Sequence, residues 1–379
     1  MMEKTFSKCC KLLAFVLMIM MDQSYINAQG CVAIRSGCGN HLARGAILSK
    51  GDFESGTNFR YFHSYKHFRG KHEETERVEN ATEVINDSFF LNFQLRYGVT
   101  DRLTASVILP FVYHERSSMY EHGGNPPGGF GDRHSTFSHG LSDIRLSLGY
   151  WLFDPGTSSN PNLSIGLGLK LPTGDYRYQG KFYNQGPSGE AITSGVDQSI
   201  QPGDGGLGMT IEMEGFYLLN DQITLSTNLY YLINPREQYQ TTNFRGATSY
   251  LSVPDQYAAR IGGLYMLPVK GLRIYAGSRI EGIPSRDLIG GNEGFRRPGY
   301  IVSLEPGINY SVRNFTFNLT VPVAIERART QNFSDKQRTR ETGVFRNGDA
   351  AFADYLINAG FSWRFGRKKI PAIDAPLSI

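Results

Sequence analysis

The sequence has few cysteines, little tryptophan and, past its beginning, no long apolar run. Its cysteines are Cys9, Cys10, Cys31 and Cys38, and its tryptophans are Trp151 and Trp363. The one apolar run, Leu12 to Met21, falls well short of the roughly 20 residues that a membrane helix needs. Nothing after it can cross a bilayer as a helix, and the mean hydropathy is −0.32. An excess of one charge is also missing, since 39 Lys and Arg stand against 35 Asp and Glu. Without a basic surplus, no nucleic-acid partner is expected. G-x-S-x-G and H-E-x-x-H do not occur, which removes two common hydrolase signatures.

The N-terminus carries export information. Lys4, Lys8 and Lys11 lead into the apolar run, and Ile26, Asn27 and Ala28 offer a small residue for cleavage, so residues 1–28 read as a signal peptide. Its removal lowers the formal charge from +4 to about +3 and takes Cys9 and Cys10 with it. Cys31 and Cys38 then lie close together in an oxidising compartment and read as a disulfide. The alternative is lipid modification of Cys31, because Ala28, Gln29, Gly30 and Cys31 loosely resemble a lipobox.

What the sequence does have is alternation. Phe89, Leu91, Phe93, Leu95 and Tyr97 share one parity against Phe90, Asn92, Gln94 and Arg96. Leu103, Ala105, Val107, Leu109 and Phe111 follow after a short turn. The clearest hairpin pairs Ile144 to Leu152 with Leu163 to Leu171, and further pairs fall at 207–218 with 222–234, 255–266 with 271–283, and 299–311 with 314–327. A weaker strand at 52–68 and a last one ending at Phe365 bring the count to about twelve.

The connections alternate between short turns (100–102, 220–222, 268–271, 311–314) and long polar loops (115–139, 174–206, 236–255, 285–298, 328–351). Apolar rows nearly free of charge lie on one parity. The charges lie on the other: Arg96, Asp143, Arg145, Lys170, Glu212, Glu214, Arg260, Arg273, Arg279, Glu281, Glu305, Glu326 and Arg364. A soluble sandwich would pack the greasy row inside. Greasy rows outside, charges inside and unequal loops predict an all-β fold, a transmembrane antiparallel up-and-down barrel. Its expected bounds are 52–366, with a periplasmic segment at 29–51, a periplasmic tail at 367–379, long loops outside the cell and both termini in the periplasm.

The last strand adds a resemblance. Asn358, Gly360, Trp363 and Phe365 resemble the closing-strand signal of bacterial outer-membrane β-barrels, which implies localisation to the outer membrane and recognition by the barrel assembly machinery. Tyr97, Trp151, Tyr231, Tyr265, Tyr310 and Trp363 stand near strand ends, where aromatic girdles meet the lipid interface. Prolines 110, 172, 235, 284 and 322 are expected where pairing ends ahead of a long loop.

Gly203, Gly205 and Gly208 match G-x-G-x-x-G, but an alternating strand pattern follows them, where phosphate binding would need a helix N-terminus. His63, His67, His72, His114, His122, His134 and His139 show no metal-ligand spacing. No metal or cofactor is expected.

GLSDIR (Gly140 to Arg145), GLKLPTGD (Gly168 to Asp175) and QPGDGG (Gln201 to Gly206) resemble segments of the outer-membrane proteins of the phenol meta-pathway degradation family. That resemblance implies a barrel passing small, aromatic or hydrophobic solutes. Twelve strands enclose more room than the side-chain-filled eight-strand case, so the expected function is a channel through a polar, mixed-charge lumen, with Gly174 to Gly206 folded inward as a constriction. The alternatives are a barrel enzyme, for which His114 and Ser117 are the nearest candidates, or a surface-exposed barrel whose lumen is plugged by its own ion pairs.

Overall fold

Alternation with a period of two forms strands whose side chains point to opposite faces, and here those strands close on themselves. The computed structural model describes residues 47–124, 132–154, 161–236, 238–242 and 248–366. In chain order the elements are β1 (Phe53–Arg69), β2 (His72–Glu73), α1 (Glu76–Glu79), β3 (Ile85–Gly98), β4 (Leu103–Ser118), β5 (His134–Leu141), β6 (Arg145–Trp151) and β7 (Asn162–Lys170). Then come β8 (Gln179–Phe182), β9 (Ile192–Gly195), β10 (Gly208–Leu218), β11 (Ile223–Ile233), β12 (Gln238–Thr242), β13 (Thr248–Ser252), β14 (Gln256–Met266) and β15 (Leu272–Ile283). The last are β16 (Gly299–Val312), β17 (Phe315–Thr320), β18 (Val323–Arg329), α2 (Phe333–Thr342) and β19 (Ala350–Phe365).

The wall is a closed antiparallel barrel of 12 positions, because β5 with β6, and β17 with β18, each share one. β19 closes it against β1, running from Phe53↔Phe365 to Phe62↔Leu356 without a register shift. Closure pairs the first strand with the last, so the ring itself has no free edge strand; β5, an extension beside β4, pairs on that side alone. The outer rows expose large apolar side chains, among them Leu95 (46%), Leu148 (53%), Leu167 (59%), Ile261 (66%) and Leu304 (51%). A belt of this extent marks a lipid-facing surface.

Two wall positions are broken. Between β5 and β6, Ser142 N donates to Pro110 O at 2.7 Å and Ile144 N turns to Thr173 Oγ1 at 2.9 Å. Between β17 and β18, Val321 N donates to Pro306 O at 3.0 Å and Leu356 N to Pro322 O at 3.0 Å. Pro172, Pro235 and Pro284 follow strand ends as expected, but Pro110 lies inside β4 and Pro322 sits in a break. A proline withholds one ladder donor, and in these two places the wall departs from regular pairing.

The long connections hold more structure than alternation reveals. Within 115–139, expected to be loop, β4 continues to Ser118 and β5 begins at His134. The β8–β9 and β12–β13 hairpins and α2 lie in other long loops. Beyond the lipid both faces of a strand can be polar, so the greasy row that betrays a strand disappears. At the short-turn end, residues 47–52 fold against the barrel: Leu48 is fully buried and Ile47 packs on Trp151 and Phe216. A Cβ on Gly98 would stand 2.1 Å from Ser49 O, so only glycine admits this segment.

Candidate functional site

Two structures occupy the interior, and the first is an ion-pair network contributed by the wall. Arg279 Nη1 lies 3.1 Å from Glu281 and its Nε 3.3 Å from Glu305, while Arg260 Nη1 lies 3.5 Å from Glu305 and its Nη2 2.9 Å from Asn228. Arg60 on β1 pairs with Glu281 on β15. Those strands are four wall positions apart through β19, β18 and β16, so the bond runs as a chord across the lumen. Nearer the short-turn end, Arg96 and Arg364 share Glu54 at 2.9 and 3.8 Å. Buried ions persist only when paired and hydrogen-bonded, and Glu305 meets this with two arginines and Thr320 Oγ1 at 2.8 Å.

The wall is not uniformly polar. Phe62, Phe90, Val112, Ala353 and Leu356 form a buried apolar cluster on the inner face of β1, β3, β4 and β19. Tyr230, Leu232 and Ala258 form another on β11 and β14.

The second occupant is the connection between β7 and β10. Its two conspicuous motifs, GLKLPTGD and QPGDGG, meet GLSDIR of the β5–β6 junction at the break in the wall. Asp143 Oδ1 accepts from Gly174 N at 3.0 Å and Oδ2 from Asp204 N at 3.1 Å. Lys170 pairs with Asp204, and its Nζ lies 3.9 Å from Asp143. Ser142 Oγ donates to Pro202 O, and Gly203 N to Asp175 O at 2.9 Å. Gly174 and Gly203 cross so closely that a Cβ on Gly203 would lie 2.3 Å from Gly174 O. A small recess lined by Pro110, Arg145, Leu232 and Gln256 adjoins this junction.

From there the loop crosses the barrel. Ile200 and Gln201 are buried, and Ser138 Oγ donates to Ile200 O. Asp197 lies 3.6 Å from Arg116 on β4 and takes a two-pronged pair from Arg297, beyond β15, at 2.6 Å per contact. Gln198 Nε2 reaches Ser252 O at 2.8 Å. Burial opposes ionisation of Asp197, but Arg116 and Arg297 hold its carboxyl well below the usual carboxylate range. Beside the loop, His122 Nδ1 accepts from Tyr183 N at 3.0 Å, with His134 5.6 Å away between ring centres. Burial, with His134 and Arg116 adding to it, pushes His122 down to about 4.

The residues singled out by alternation are placed as follows. Arg96, Asp143, Arg145, Lys170, Arg260, Arg279, Glu281 and Glu305 are buried and charged. Glu212 accepts from Thr210 at 3.0 Å, and Arg273 donates to Asn309 at 3.3 Å. Glu214 Oε1 is buried without a hydrogen-bond partner among the described residues. Glu326 departs from expectation: a register shift at Val302/Ser303 turns it to the outer row, where it meets Tyr300 and Lys71. A single irregularity flips every later side chain to the other face. Trp151, expected in a girdle, is 2% exposed and packs inward on Phe216, whereas Trp363 (45%) and Phe365 (37%) face out.

Asn358 and Gly360 are buried on the opposite parity of that last strand. His114 and Ser117 have opposite parity on β4 and do not form a dyad, and Cys31 and Cys38 lie outside the described residues. Two acids of the inserted loop meet bases: Asp197 pairs with Arg116 and Arg297, and Asp204 with Lys170. Arg60 and Arg116 are not singled out by alternation, because Arg60 lies in the weakest strand pattern and Arg116 in 115–139, where the sequence reads as loop although β4 continues to Ser118.

A closed twelve-strand antiparallel barrel, apolar outside and charged inside, is the architecture of an outer-membrane β-barrel. The same fold occurs in an outer-membrane channel of Pseudomonas putida F1, at 13% identity and a TM-score of 0.53 over 87% of this chain and 100% of that one. Looser likenesses are to the β domain of the Bordetella autotransporter BrkA (12%, 0.45, covering 83% and 100%) and the P. putida toluene transporter TodX (12%, 0.41, covering 90% and 99%). At these identities the likeness is one of fold. No family model and no curated sequence matches the chain.

Proposed function

We propose that the protein is an outer-membrane channel for small hydrophobic or aromatic solutes, with its lumen closed in this structure by side chains and the inserted loop. The observation that carries this reading is the inward apolar sector of Phe62, Phe90, Val112, Ala353 and Leu356, while the Arg260, Arg279, Glu281 and Glu305 network lies on β14, β15 and β16 and is reached from the sector's strands by Arg60 of β1. A hydrocarbon moving along that sector strips water from few charges, which is the dominant cost of moving past a charged wall. The closures are hydrogen bonds and ion pairs, which can open and re-form.

The second reading, a barrel whose lumen stays shut, is favoured by the Arg60–Glu281 chord. One experiment separates the two. The protein is expressed in the outer membrane of a host lacking such a channel, and entry of a labelled monoaromatic compound is compared with that of a sugar of similar size. Faster entry of the aromatic compound, reduced by Phe90→Asp, supports the channel. Equal entry of both solutes points to an unselective pore, and entry of neither to a closed barrel.

A further inference from the structure

At the long-loop end, which faces the medium in barrels of this type, the loop after β15 leans on the segment carrying α2. Asn332 Nδ2 donates to Arg296 O at 2.8 Å, and Lys336 Nζ lies 3.2 Å from Ser285 Oγ. This contact sets Lys336 beside Arg286. Arg340 follows Lys336 by four residues on the same helical face.

The acids of the helix are engaged elsewhere. Asp335 accepts from Asn332 N at 3.1 Å and pairs with Arg329 at 3.4 Å, while Glu341 accepts from Gln337 at 2.8 Å. Around them, cations are paired: Arg69 with Glu74, Arg77 with Asp349, and Lys71 with Glu326. Among the described residues no carboxylate forms an ion pair with Arg286, Lys336 or Arg340. Burial, with Arg286 and Arg340 close by, lowers the affinity of Lys336 for its proton.

Exposed apolar side chains lie within a few residues of the cations in both segments. Leu288 (65%) and Ile289 (55%) follow Arg286, and Val344 (56%) and Phe345 (69%) follow the helix. Cations that repel one another beside exposed apolar groups match a molecule with anionic headgroups and acyl chains. The patch stands above the lipid-facing wall: Ile325 (59%) is the last exposed apolar residue of β18, and α2 begins eight residues past it, within about 28 Å by chain reach. We propose that Arg286, Lys336 and Arg340 dock the phosphate groups of a phosphorylated glycolipid of the lipid A type in the outer leaflet.

The test titrates the full-length protein in mixed micelles with bisphosphorylated lipid A, its dephosphorylated form and inorganic phosphate. A charge near an anionic lipid surface is worth about fivefold in affinity, so Arg286→Gln/Lys336→Gln/Arg340→Gln is expected to bind bisphosphorylated lipid A about a hundredfold more weakly. The dephosphorylated lipid should bind the native protein no better than bisphosphorylated lipid A binds the triple variant. Unchanged heat-modifiable gel mobility shows the barrel is intact, and Lys336→Glu serves as a single-site variant that should weaken binding further than Lys336→Gln. Equal binding by native and triple variant overturns the proposal. So does equal affinity for the two lipids, which would make the patch merely apolar, or full competition by millimolar inorganic phosphate, which would make it a soluble-anion site.

Discussion

The Asp197 carboxylate and the Arg297 guanidinium meet side by side, Oδ1 with Nη1 and Oδ2 with Nη2, both at 2.6 Å, although 100 residues separate them. Arg116 on β4 approaches the same carboxylate from the far side of the barrel. One side chain therefore ties the inserted loop to two distant parts of the wall.

Removing that charge is expected to free the loop. Taking one partner from a buried pair costs about 3–5 kcal/mol, so Asp197→Asn should raise single-channel conductance in planar bilayers. Deleting Tyr178 to Ser199 should raise it further and alter ion selectivity. Conductance identical to the native channel in both variants would place the loop outside the conducting path.

The Arg60–Glu281 chord makes a prediction about sign. Arg60→Ser leaves Glu281 paired with Arg279 and should shift selectivity toward cations, whereas Glu281→Ser leaves an extra positive charge and should shift it toward anions. Reversal potentials under a salt gradient read this directly. Shifts in the same direction for both variants would count against a pair exposed to the permeating ion.

How much of this could be read from the sequence depends on what each stretch faces. The barrel was legible because lipid enforces one apolar parity on Leu91 to Tyr97 and Leu163 to Leu171. Above the lipid that constraint lapses, and β5, the β8–β9 hairpin and α2 passed for loop. The parity rule also assumes unbroken register, which is why Glu326, just past an irregularity, was placed on the wrong face. Of the site, the three motifs containing Asp143, Gly174 and Asp204 were conspicuous as words. Their convergence on one carboxylate is a fact of topology, and no local spacing encodes it.

Trp363 and Phe365 face outward at the short-turn end, where Phe365 stacks on Phe53 at 5.6 Å and Trp363 on Phe315 at 6.1 Å. Replacing both with serine should sharply reduce the amount of protein recovered in the outer membrane, measured by fractionation and blotting. Unchanged recovery would assign the assembly signal to another part of the chain.

His122 should make the loops around it sensitive to acid. Its folded-state value of about 4 lies below the ordinary value of 6.5. The neutral ring thus contributes stability that is complete above about pH 6.5 and is lost as the pH falls toward 4. After correction for intrinsic rates, hydrogen exchange at the Tyr183 amide should accelerate over that interval, and His122→Asn should flatten the dependence. An unchanged profile in His122→Asn would show that another group controls the loop.

The closure of β19 on β1 has a bearing on lifetime. Every strand in the wall except β5, which pairs with β4 alone, has a neighbour on each side, and the first and last strands supply the seam between them. Apart from that extension the ring offers no border from which pairing can fray, so disassembly must start by parting two paired strands at once, with no gain until many hydrogen bonds have broken. That requirement raises the barrier to unfolding more than it changes the equilibrium, and the protein's endurance in detergent is accordingly a matter of rate.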